Sequence, residues 1–138
     1  MLRGVTSTRQ PPIEVFVADE DEELRTKVAK ALREVGCEVV ACCDGMSLFS
    51  QLRERLSHPN GRRSVVVAQG QLPVLGALQI LHSLRRLDLA LPFIFMTRLD
   101  QRAVRETAER AGASAFLLKP FPMDQLVRLV ASLSHSGH

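Results

Sequence analysis

Four places in the sequence hold side chains that could act together on a phosphoryl group: Asp19-Glu20, Gln69, Thr97-Arg98 and Lys119-Pro120. Two adjacent acids can hold a hard divalent ion such as Mg²⁺ through oxygen. A threonine hydroxyl and a lysine ammonium can bind phosphoryl oxygens by hydrogen bond and charge. Lysine is scarce here: the 18 basic residues are mostly Arg, and only Lys27, Lys30 and Lys119 are Lys, which singles out Lys119. Gln69 is the odd member. It ends the run Val65-Val66-Val67-Ala68-Gln69 and is followed by the loop Gly70-Gln71-Leu72-Pro73-Val74-Leu75-Gly76. Its carboxamide neither ionises nor attacks, so binding groups surround a position without a nucleophile.

These four places need a scaffold that brings them together. Apolar and β-branched runs predict strands over 13–18, 37–43, 64–69, 92–97 and 114–118. Between and after them the apolar residues take a helical spacing. Leu24, Val28, Ala31, Leu32 and Val35 lead to a stop at Gly36, and Leu48, Phe49, Leu52 and Leu56 follow the Asp44-Gly45 turn. Leu78, Ile80, Leu81 and Leu84 make a third helix. A fourth over 101–111 turns Val104, Ala108 and Ala111 inward, and a fifth carries Leu126, Leu129, Val130 and Leu133. Alternation of this kind predicts an α/β fold with a doubly wound parallel sheet covered by helices on both faces. Ligands of such sheets bind at the carboxyl ends of the strands, where all four places fall.

The chain has 138 residues, enough for one domain with a hydrophobic core. We expect that domain over 13–134, with tails at 1–12 and 135–138. The initial Met and the short tails favour a stand-alone product. No apolar run reaches bilayer length and the N-terminus lacks a signal peptide's apolar stretch, so the expected setting is cytoplasmic, away from membranes. Three bunched cysteines, Cys37, Cys42 and Cys43, make no disulfide framework. A net charge of +3 and the lack of Trp and Tyr argue against nucleic-acid binding. Acids after strand one, in place of a glycine-rich loop, argue against a flavodoxin-like cofactor binder.

At this point the chain resembles the receiver domain of bacterial response regulators, over about residues 13–134. The stretches that carry the resemblance are VFVADEDEELR (15–25), the spacing of LPVLG (72–76), PFIFMT (92–97) and AGASAFLLKPF (111–121). It implies a flavodoxin/CheY-like sheet of order 2-1-3-4-5. In that family a histidine kinase or small phosphodonor phosphorylates an Asp at the end of strand three. Mg²⁺ is held there by the acids after strand one, the acceptor Asp and a backbone carbonyl. Rearrangement then spreads to the face of helix four, strand five and helix five. By resemblance, Asp19 and Glu20 are the acid pair, Thr97 the switch hydroxyl, Phe116 the switch aromatic and Lys119 the pocket lysine. Pro120 follows in what is usually a cis peptide. The acceptor lies four residues before the loop proline, and counting back from Pro73 reaches Gln69.

Three residues depart from the family pattern: Gln69 for Asp, Leu75 where Asp is frequent, and Arg98 where a small residue is usual. A neutral amide cannot form an acyl phosphate. Removing one charge about 6 Å from a divalent ion changes the Coulomb term by up to roughly 5 kcal/mol at an effective dielectric of about 20. Millimolar binding is worth only about 4 kcal/mol, so Mg²⁺ is expected to be weak or absent, with no other cofactor. Asp19 and Glu20 against Lys119 leave one net negative charge where the family has two, and Arg98 is expected to plug the remainder. The sequence thus reads as a phosphorylation-independent pseudo-receiver acting through a protein partner on the helix four, strand five, helix five face. Arg102 and Arg105 belong to that face, no DNA contact is expected, and a homodimer is compatible with it. The alternative is a receiver phosphorylated at a surrogate acceptor.

Overall fold

The computed structural model describes residues 11–72, 76–87, 89–98 and 102–136. Within them five strands alternate with five helices: β1 (Glu14–Ala18), α1 (Glu22–Glu34), β2 (Glu38–Cys42), α2 (Gly45–Ser57), β3 (Ser64–Gln69), α3 (Ala77–Arg86), β4 (Phe93–Thr97), α4 (Arg102–Arg110), β5 (Ala115–Leu118) and α5 (Met123–Ser136). The strands form one parallel sheet of order β2-β1-β3-β4-β5. Most of the N-terminal tail, Pro73 to Leu75, the start of the fourth expected helix at Gln101, and the last two residues lie outside the described residues. α5 continues to Ser136, two residues past the expected domain limit.

Side chains alternate along a strand, so each central strand feeds two cores. Val15, Val17, Val65, Val67, Ile94, Met96 and Leu117 point to one face and pack under α1 (Val28, Leu32) and α5 (Leu126, Val130). Phe16, Ala18, Val66, Ala68, Phe93 and Phe95 point to the other and pack under α2 (Leu48, Leu52), α3 (Ile80, Leu81, Leu84) and Ala108 of α4. At the amino end of the sheet the buried Glu14 carboxylate is gripped by both arms of Arg55, at 2.6 and 2.8 Å. The other end is left for the site. Asp21 caps α1 by accepting from the Glu23 and Leu24 N–H groups, and Asp44 caps α2 through Ser47.

Three residues expected inward are outward: Val35 is 58%, Leu56 36% and Val104 54% exposed. The first two stand at helix C-termini, where the chain leaves the sheet. Val104 is different, because α4 reaches the buried layer only through Ala108. Three glycines hold conformations that disfavour a side chain: Gly36 at φ 92° after α1, Gly61 at φ 77° before β3 and Gly112 at φ 103° after α4. A Cβ on Gly36 would meet nothing, whereas one on Gly112 would fall 2.6 Å from Arg85 Nε. Arg85 cannot yield freely, since its guanidinium donates to the Leu89 and Gly112 carbonyls, both at 2.7 Å.

Gly36→Ala should therefore destabilise the domain by about 1 kcal/mol, the cost of a left-handed residue, and Gly112→Ala by at least about twice that in urea unfolding. The cysteines should differ too. Burial pushes the Cys42 thiol up to about 11, so it stays protonated at pH 8, while Cys43 is exposed. Iodoacetamide should alkylate Cys43 and spare Cys42 in the folded protein, read by peptide mass mapping.

Candidate functional site

β1 and β3 are neighbours whose crossovers leave in opposite directions, and a crevice opens between their carboxyl ends. Asp19 follows β1 into this crevice and is fully buried. One carboxylate oxygen accepts the Asp21 N–H at 2.9 Å, and the other accepts Lys119 Nζ at 2.7 Å. Gln69, the last residue of β3, is half-buried, and its Oε1 also accepts from Lys119 Nζ in a very short contact. The Lys119 side chain is only 7% exposed. It reaches across from the end of β5, where its own N–H donates to the Thr97 carbonyl at 2.7 Å. The Lys119-Pro120 peptide is cis.

The structure thus brings Asp19, Gln69 and Lys119 into direct contact. Thr97 closes β4 beside them and is half-buried. Glu20 is exposed. Arg98 does not plug the crevice as expected. Its side chain is 72% exposed and stands 4.0 Å from the Asp21 carboxylate, at the rim. The reason is that Asp19 is already closed by Lys119 and out of solvent reach, which leaves the guanidinium an outer acid. Phe116 of β5 is half-buried, its ring 5.7 Å from that of Phe95. The Arg105 guanidinium lies over Phe116 at 5.2 Å, a cation–π distance. Arg102 is exposed and pairs with Glu106 at 3.3 Å. Leu75 lies outside the described residues.

Two contributors escaped the sequence reading. Asp21 serves the crevice through its N–H and the helix through its carboxylate. Arg25, on the first turns of α1, donates to the Asp19 carbonyl at 2.8 Å and so fixes the end of β1. The available signal was position: Arg25 lies between the inward residues Leu24 and Val28, on the side of the helix that meets the strand end.

A divalent ion does not fit this donor set. Both Asp19 oxygens already accept hydrogen bonds, and Gln69 offers a neutral oxygen engaged by a cation. Among the described residues no group of three or more His, Cys, Asp or Glu could hold a metal ion. The positive charge of the crevice is Lys119 itself.

Comparison with known proteins agrees with this fold. The family described as Response regulator receiver domain matches residues 15–131. The probable transcriptional regulatory protein TcrX of Mycobacterium tuberculosis is 32% identical over 127 residues, covering 91% of this chain and 52% of that protein. The transcriptional regulatory protein TrcR of the same organism is 31% identical over 128 residues, covering 92% of this chain and 48% of that protein. The chain therefore spans about half the length of these curated relatives. The receiver domain of Francisella response regulator 1452 superposes with a TM-score of 0.76 at 23% identity, covering 91% of this chain and 99% of that one. The BeF3-activated DrrB receiver domain gives 0.73 at 21% identity, with 90% and 98% covered. At such identities these structures speak for the fold.

Breaking a buried pair by removing one partner strands the other charge. Lys119→Met should destabilise the domain by about 3 kcal/mol, and adding Asp19→Asn should recover most of that loss, because the double variant leaves no unpaired charge at this site. Urea unfolding of the four proteins in this cycle measures it; additive losses would show that the pair is not coupled.

Proposed function

The chain belongs to the response regulator receiver family, and from that membership we propose that it is a receiver which signals without being phosphorylated, by contact with a protein partner. The observation that carries this reading is the contact of Lys119 with Gln69 and Asp19. Attack on a phosphodonor needs an anion at the end of β3, and a carboxamide there supplies none. The lysine that would neutralise an incoming phosphoryl group is already satisfied by two oxygens of the protein. Mg²⁺ is weakly held or not held in this reading.

The partner face is α4, β5 and α5. Arg102 is exposed on it, as are the apolar Val104 and Leu118, and Arg105 borders it. An acidic partner suits this charge. The names of the relatives support an output toward control of transcription. In this reading the output runs through that protein contact rather than through DNA binding by this domain. No described helix is long and apolar enough to cross a membrane, and a cytoplasmic setting fits the reading.

Incubation with Mg²⁺ and acetyl phosphate, followed by intact mass measurement, should give no phosphoryl adduct on the native chain. Gln69→Asp should acquire one that is lost at alkaline pH. A labile adduct on the native chain would refute the proposal, and peptide mapping to Glu20, the exposed acid of the pair, would establish surrogate phosphorylation.

A further inference from the structure

Between α4 and the carboxyl ends of β3 and β4 lies a cavity of about 440 Å³. Its origin is sequence-specific. α4 has nine residues and buries only Ala108, so a methyl group faces the aromatic pair Phe95 and Phe116 where a larger side chain would fill the space. Leu78 and Val104 complete the apolar wall, and Met96 borders it from β4. Gln69 and Thr97 supply neutral polar groups, and two arginines, Arg98 and Arg105, line it as well. No Asp or Glu is among its described lining residues.

This volume falls in the range of small-molecule sites, about 300–1,000 Å³, which are mostly apolar with a few placed polar groups. Among the described residues the lining carries two positive charges and no negative one. We propose that the cavity binds a small amphiphilic anion: an aromatic or branched apolar body with one carboxylate or similar oxyanion. The body packs against Phe95 and Phe116, and the oxyanion meets the arginines. Arg98 is well suited, because its present partner, Asp21, stands 4.0 Å away in solvent, a pairing of little strength. Arg105 and Phe116 connect the cavity to the partner face, so an occupant that prefers one arrangement of α4 shifts the population presented to a partner.

The inference uses the proposed function only to give binding its role as the input signal. Occupancy does not depend on whether Gln69 blocks phosphorylation, so the phosphodonor experiment and the one below can fail separately.

The test is titration of the ¹⁵N-labelled chain with naphthalene carboxylate, followed by amide shifts, with naphthalene methanol as the neutral counterpart. Saturable shifts are expected at Gly70, Thr97 and Phe116. The neutral probe, and the acid on Arg98→Gln/Arg105→Gln, should bind at least about tenfold more weakly, as loss of a charge-assisted hydrogen bond implies. Val104→Trp, at a half-exposed wall position, should abolish the shifts by filling the space. If that variant loses its dispersed spectrum, Arg98→Gln alone, whose side chain is 72% exposed, decides by the same weakening. Absence of saturable shifts up to millimolar probe, shifts centred elsewhere, or equal affinity for the two probes would overturn the proposal.

Discussion

A lysine ammonium, nearly removed from water, has to find oxygen acceptors inside the protein. Lys119 finds two, the Asp19 carboxylate and the Gln69 carboxamide, and much of the carboxyl end of the sheet is arranged to hold them. Arg25 and the Asp21 N–H fix Asp19 from α1, and the Lys119 N–H ties β5 to Thr97 of β4. One buried positive charge faces one buried negative charge, and the amide adds a dipole without a second anion. Such pairs add little to net stability, because desolvation offsets the attraction. What they do supply is a fixed arrangement, because either partner left alone would be an uncompensated buried charge.

The sheet makes this arrangement possible by its alternation. Valines at 15, 17, 65 and 67 serve one layer, and Phe16, Ala18, Val66 and Ala68 serve the other. A slip of one residue in any central strand would exchange the layers and also move its terminal residue out of the crevice. The positions of Asp19 and Gln69 are thus secured by apolar packing farther down their own strands.

The strands were legible because buried parallel strands are short β-branched runs closed by turn residues. The meeting of Asp19, Gln69 and Lys119 was legible for the same reason, since a doubly wound sheet gathers its strand ends. What stayed hidden depends on the path of the chain beyond those ends. Arg98 lies one residue past β4, and nothing in its spacing says that it pairs with Asp21 outside the crevice. Val104 fits the helical period, yet a period gives a face and not a distance from the sheet. The cavity is a consequence of that distance and has no signature in the pattern.

α4 is joined to the body of the protein mainly by a single methyl group and by an arginine lying over an aromatic ring. Local opening free energies follow buried apolar contact, so amides of this segment sit low on the scale of hydrogen-exchange protection, well beneath those of α1 with its buried Val28, Ala29 and Leu32. A loosely moored helix on an otherwise rigid sheet lets modest interaction energies reshape one surface while the rest of the molecule stays folded.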